Sequence, residues 1–285
     1  MSDMLDPAAL RSWIGRTDVQ RDVLAPDRIA ALGATLDWND PAPAEGEAAP
    51  PGAHWLYFWS PAPGRELDPD GHARRGDFLP PVPLERRMWA GGRLVWHGPL
   101  RLGRHAIRRS RIADLASKQG RSGALVFVTV AHEIEQDGVV RLGEEHDIVY
   151  RGGELAPDGG ATRKALGEAE WSRTVRADPV LLFRYSALTF NGHRIHYDRD
   201  WCREEGYPGL VVHGPLLATW LLDLLRRAKP DVGLRRFGYR ALRPAFDDMP
   251  ITLAGRPTTG GAALWAETDG ALVMEAEAEL GREGS

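Results

Sequence analysis

Two short stretches hold the residues best suited to chemistry. Leu188 to Asp198 reads LTFNGHRIHYD and places Asn191, His193 and His196 in one polar segment directly after an apolar run. An imidazole titrates near neutral pH and suits proton transfer. An amide beside it can hold a water or a carbonyl but cannot act as a base. The competing reading is a polar loop whose histidines cap a neighbouring helix. The second stretch, GLVVHGPLLATWLLDLL, starts a helix at Pro215. Its free N–H groups and positive dipole end point at whatever precedes it, and the Gly214 N–H is a candidate oxyanion donor. Here the competing reading is packing, with Gly214 as a turn residue; both can hold together.

Other chemistries find less support. His193, His196 and His213 suggest a metal, but no carboxylate or cysteine completes a known spacing, so no metal is expected. His132-Glu133 lacks the second histidine of a zinc-protease helix and reads as a strand face. The single cysteine, Cys202, excludes an internal disulfide, fits a reducing compartment and has no basic neighbour in sequence to activate it.

These segments need a scaffold. The chain has 285 residues, enough for two ordinary domains, and its 43% hydrophobic and 27% charged composition is that of a globular protein. A net charge of −4 gives no reason to expect nucleic acid or an anionic membrane as partner. The longest apolar run is interrupted by His213 and Asp223 and is short for a membrane span, and the N-terminus has no apolar signal region, so a cytoplasmic location is expected. Arginine clusters at Arg86 and Arg87, Arg108 to Arg111, Arg226 and Arg227, and Arg235 and Arg236. They read either as solvated faces or as contacts to a phosphate-bearing ligand.

Helical patterns cover Pro7 to Ile14 and Pro26 to Gly33, followed by a Pro- and Ala-rich loop. HWLYFWS has strand character, and Pro61 to Gly92 reads as an irregular ordered segment. Alternating β-branched residues from Gly92 to Arg151 predict strands, with Asp137-Gly138 as a hairpin turn. Gly152 to Arg163 is the best linker, which sets domains at 1–155 and 156–285. In the second, Asp178-Pro179 predicts a helix start, Asn191-Gly192 a turn with positive φ, and Pro215 a helix apolar on nearly every face and hence buried. Four antiparallel strands follow, with turns at Thr258 to Gly261 and Asp269-Gly270. One buried helix and several antiparallel strands make an α+β unit, a sheet wrapped around a helix. The tetrapeptide HGPL occurs at His97 and again at His213, but in contexts too different to support duplication.

The run from Phe183 through Leu222, with FNGHRIHYD and then GYPGLVVHGPL, resembles the hydratase motif of the MaoC-like and type 2 hydroxyacyl-thioester dehydratase family. That motif runs Gly-Asp-x-Asn-Pro-x-His, followed by His-Gly at the start of a long helix. His196 falls on the catalytic histidine and Gly214 on the oxyanion glycine. Asn191 takes the place of the usual aspartate, and His193 that of the usual asparagine. PLERRMWAGG, ALVFVTVAHEI, EEHDIVYRG and YRALRPAF are similar to the two-domain mesaconyl-CoA (3-methylfumaryl-CoA) hydratases, extending the resemblance over nearly the whole chain.

The resemblance implies a double hot dog, two antiparallel sheets each wrapped around a helix, with only the second half catalytic. It implies reversible addition of water to an enoyl-CoA. His196 serves as the single acid–base group, Asn191 orients the water, and Gly214 holds the thioester oxygen. Coenzyme A is then part of the substrate, and no cofactor is expected. Arg86, Arg87 and Arg243 are candidates for its phosphates, Trp89 for the adenine or acyl group, and His193 for a free carboxylate on a dicarboxylyl substrate. The alternatives are a fatty-acyl dehydratase with a long apolar tunnel, a hot-dog thioesterase, and a non-catalytic acyl-thioester binder. Ten tryptophans favour a short acyl group, the loop lacks a thioesterase's carboxylate, and His196 argues against a mere binder. Two hot dogs in one chain form an internal pseudo-dimer, with or without further dimerisation.

Overall fold

A computed structural model describes residues 7–120, 123–152, 163 and 166–281. The expected linker falls largely on residues outside these, and so does the proposed boundary at 155/156. Helices α1 (Pro7–Arg11) and α2 (Pro26–Thr35) open the chain around β1 (Thr17–Val23). Then come β2 (Arg86–Trp96), β3 (His105–Gly120), β4 (Gly123–Gln136) and β5 (Val139–Arg151). The second half holds β6 (Trp171–Arg176), α3 (Pro179–Thr189), α4 (Arg199–Glu204), α5 (Gly214–Ala228), β7 (Gly233–Ala241), β8 (Pro250–Thr258), β9 (Gly261–Thr268) and β10 (Ala271–Gly281).

Local signals in the sequence account for much of this. Asp137 and Gly138 both adopt positive φ, the condition for a tight hairpin between β4 and β5. Asp178 caps α3 by accepting the Leu181 N–H at 2.9 Å, with Pro179 at the first helical position. Helix α5 is buried without a break from Leu216 to Leu225. Its one acid, Asp223, is held by Arg173 at 2.9 Å, Arg226 at 2.7 Å and Arg227 at 3.0 Å, so the buried charge is paired rather than stranded. No described helix is long and apolar enough to cross a membrane.

The strands form one ten-stranded sheet in the order β1-β3-β4-β5-β2-β7-β10-β9-β8-β6. The double hot dog is thus built as two half-sheets joined edge to edge, with β2 pairing antiparallel to β7 from Gly91↔Arg240 to Val95↔Arg236. This join is the internal pseudo-dimer. One qualification applies to the expectation that each half wraps a helix. Helix α5 lies against β6, β8, β9, β10 and β2, whereas the short α2 packs on α3, with its Ile29 and Leu32 in one buried cluster with Leu94, Ala106, Ile134 and Leu142 of the first half-sheet. The apolar part of that half-sheet, with Val126, Val128 and Val130, is covered by Leu10 and by Phe78, Leu79, Val82 and Leu84 of the irregular segment.

The structure corrects three local readings. HWLYFWS is not a strand. Ala53–Leu56 forms a 3-10 turn, because Glu144 accepts from both Trp55 Nε1 (2.9 Å) and the His54 ring (3.1 Å) and pulls the aromatic run inward over the sheet. The irregular segment ends before Arg86 rather than at Gly92, since Arg86 to Trp96 pair with β5. The positive φ after α3 sits at Phe190 (51°), and Gly192 needs none.

Candidate functional site

The site is assembled where α3 ends. The left-handed Phe190 closes the helix, and Asn191 donates its N–H to Ser186 O at 2.8 Å. The Asn191 Oδ1 accepts the His193 N–H at 3.0 Å. An amide here therefore shapes the loop directly and leaves its NH2 as the side chain's remaining donor. A short 3-10 turn, Arg194–His196, follows, and Asp198 both pairs with Arg194 (2.7 Å) and caps α4.

His196 is buried, and its Nδ1 lies 2.7 Å from the Val211 carbonyl. A carbonyl only accepts, so Nδ1 carries the proton and Nε2 presents a lone pair: the tautomer of a general base. The same segment is fastened twice more, by Val211 N–H to Ile195 O (2.9 Å) and Val212 N–H to Ala245 O (2.9 Å). Burial pushes the His196 imidazole down to about 3; His193 adds to this, while the Val211 carbonyl opposes it. His193 is likewise held at about 3, by burial first and then by the charge of Arg87. Both rings are neutral at pH 7.

His213 completes the arrangement. Its ring stacks on His196 at 3.6 Å between centroids and 18° between planes, and its Nε2 lies 2.9 Å from Ser186 Oγ. Gly214 follows at once and opens α5, so the unpaired N–H groups of that helix start one residue from the ring stacked on His196. The conjunction of a base tautomer and a helix N-terminus is what reversible water addition to a thioester's double bond requires.

The first half reaches into this site. A Cβ built on Gly214 would meet Trp89 Cβ at 3.7 Å, and Trp89 also packs against Trp55, His146 and Tyr239. Trp89 therefore stands beside the N-terminus of α5. The His72 ring lies 4.4 Å from that of His193, and Arg194 donates its N–H to Asp70 O at 2.9 Å. Gly71, at φ 90°, presses on the 191–196 loop so closely that a Cβ would fall 2.0 Å from Gly192 O. Gly71→Ala should push the 191–196 loop out of register and lower kcat by about 10- to 100-fold with an unchanged far-UV circular dichroism spectrum.

The tentative ligand residues separate. Arg86 is engaged by Glu205, donating to its backbone carbonyl at 3.2 Å. Arg87 faces the histidines, as its charge acts on His72 and His193. Arg243 has no hydrogen-bond or ion-pair partner for its guanidinium among the described residues and lies two residues before Ala245, whose carbonyl accepts from Val212 in the segment that leads to His213. Cys202 is buried against Ile195 O, and burial raises its thiol to about 11. The rings of His193, His196 and His213 cluster, but their ligand atoms do not form a metal-sized group among the described residues. Asp70, His72 and His193 do, with ligand atoms within 4.8 Å of one another. Two features oppose a cation there: Asp70 Oδ1 is taken by the His72 N–H at 2.9 Å, and Arg87 is positive. His72, His146, Trp55 and Tyr239 carried no local signal, because each reaches the site from another part of the sheet, from the irregular segment or from the 3-10 turn Ala53–Leu56.

Residues 52–247 match the model of the family hydroxyacyl-thioester dehydratase type 2. The chain is 46% identical over 281 residues, 95% of its length and 97% of the relative's, to the mesaconyl-C(4)-CoA hydratase of Chloroflexus aurantiacus. Among solved structures, a MaoC-like dehydratase from Phytophthora capsici superposes with a TM-score of 0.70 at 12% identity, covering 99% of both chains. A Mycobacterium tuberculosis protein with a double hotdog fold gives 0.58 at 14%, covering 94% of this chain and 96% of that one. At these identities the two structures speak for the fold alone.

Proposed function

The chain belongs to the hydroxyacyl-thioester dehydratase type 2 family, and from that premise we propose that it is a hydratase of mesaconyl-C4-CoA, forming citramalyl-CoA. The observation that carries the chemistry is the tautomer of His196, whose Nδ1–H is spent on the Val211 carbonyl and whose Nε2 is left as a base. Nε2 takes a proton from water as the water oxygen bonds to the β-carbon. The electron pair of the double bond moves onto the thioester oxygen, where the Gly214 N–H stabilises it. The imidazolium then returns a proton to the α-carbon. One base serves both transfers, consistent with an amide, which cannot ionise, at Asn191.

The substrate assignment draws on the likeness to the Chloroflexus enzyme and on the wall of Trp89 and Trp55 beside Gly214, which suits a short acyl group better than a fatty chain. Of the arginines, Arg243 is assigned to a coenzyme A phosphate, because its guanidinium is uncommitted among the described residues.

The test is a panel of mesaconyl-C4-CoA, crotonyl-CoA and a longer enoyl-CoA, following loss of the enoyl-thioester absorbance. Turnover is expected to be highest on mesaconyl-C4-CoA. A preference for the long chain would move the assignment to fatty-acyl dehydration, and release of free thiol would replace hydration with thioester hydrolysis.

A further inference from the structure

The inner face of the first half-sheet is polar where it meets the site. Along β5 the inward positions run Leu142, Glu144, His146, Ile148 and Tyr150, so a carboxylate and an imidazole interrupt an apolar row. Their partners in register give the interruption a shape. Gly92 on β2 pairs with His146 on one side and with Tyr239 of β7 on the other. Residues directly opposite in antiparallel strands share a face, so His146 and Tyr239 flank a position that has no side chain. The tip of the phenol leans into that gap: a Cβ on Gly92 would meet Tyr239 Oη at 2.6 Å.

His146 Nε2 and Tyr239 Oη are both buried without a partner in hydrogen-bond geometry; the Trp89 N–H, which acts on the phenol, is donated to Gly91 O at 3.0 Å. A buried polar atom left unpaired carries a desolvation cost that nothing in the fold offsets, and two of them flanking one gap call for a ligand. Both groups can donate, the phenol through O–H and the imidazole through N–H. Trp89 joins them to the candidate catalytic centre, with its ring 4.4 Å from His146 and 6.1 Å from Tyr239, and its Cβ against Gly214. The charges of Arg108 and Arg87 act on His146 from the same face, opposed by Glu144 and Asp147. Those two acids are already engaged, Glu144 by His54 and Trp55 and Asp147 by Arg93 and Thr129. Two donors beside this site, with Asp147 paired to Arg93 and both Glu144 oxygens already accepting hydrogen bonds, suit a carboxylate.

We propose that His146 and Tyr239, set on either side of Gly92, bind the free carboxylate of the acyl group and select a dicarboxylic mono-thioester over a plain enoyl-CoA. This rests on the substrate reading above and adds the residues that enforce it. His193, the candidate from the sequence, lies tilted against His72 with ring centroids 4.4 Å apart and meets His196 edge-on.

Crotonyl-CoA is the decisive comparator, since it keeps a short enoyl thioester and lacks the free carboxylate. For Tyr239→Phe and His146→Leu, the ratio of kcat/KM for mesaconyl-C4-CoA to that for crotonyl-CoA should fall by about 10- to 100-fold each, the worth of a hydrogen bond to a charged group. The melting temperature of unliganded Tyr239→Phe should not fall, because its hydroxyl has no partner to lose. A merely structural role predicts the reverse: a lower melting temperature and parallel losses on both substrates. A wild-type protein that hydrates mesaconyl-C4-CoA but whose variants keep the ratio would overturn the carboxylate assignment alone. A wild type inactive on mesaconyl-C4-CoA would overturn the substrate reading, and this assignment with it.

Discussion

Replacing His196 with alanine is expected to lower kcat for hydration of mesaconyl-C4-CoA by about 10²- to 10⁴-fold, the usual worth of a positioned acid–base group. The loss should be near the upper end, because one imidazole serves both proton transfers and the neighbouring groups cannot replace it. Asn191 has no ionisable proton, and His213 is turned toward Ser186 through its Nε2. KM should change little, since the residue acts on the water and the α-carbon and not on the coenzyme. Stopped-flow or steady-state loss of enoyl absorbance measures it, with a melting curve to show that the variant folds. An active His196→Ala protein would assign the proton transfers to another residue.

Acid should unfold this protein at a mild pH. His193, His196 and His213 are buried as neutral rings, with His193 and His196 at about 3 and His213 well below its ordinary value, in each case through burial first. An imidazole in the unfolded chain titrates near 6.5. Between these values the unfolded state binds more protons than the native one, so stability is complete above about pH 6.5 and is lost as the pH falls toward the native values. At pH 5 His193 and His196 each contribute about 2 kcal/mol of destabilisation, and His213 acts in the same direction, together a large part of a typical domain's stability. Thermal melts at pH 7.5, 6 and 5 should show little change over the first interval and a steep fall over the second. His196→Ala should reduce the fall. A melting temperature constant down to pH 5 would mean that these rings are already charged in the native state. For the same reason, the acid limb of kcat/KM should lie below the ordinary histidine range and end in unfolding rather than in simple titration.

The sequence by itself determined what depends on neighbours along the chain. Asp178-Pro179 starts α3, Asp137-Gly138 turns a hairpin, and the unbroken apolar run after Pro215 has to be buried, since capping, positive φ and periodicity act over a few residues. The residue types of Asn191, His196 and Gly214 likewise single out the candidate site. Tertiary structure decided the rest, because it depends on register and on contacts far apart in the chain. Glu144 turned HWLYFWS from a strand into a buried turn, and Glu205 drew Arg86 away from solvent. The left-handed residue after α3 fell on Phe190 rather than Gly192 because the loop is anchored on Ser186 and against Gly71. Strand β6 has no strong pattern of its own and exists because β8 offers it an edge. No periodicity could have shown that Gly92 lies between His146 and Tyr239: a strand's sequence fixes which residues share a face, but only the pairing of three strands brings those residues side by side.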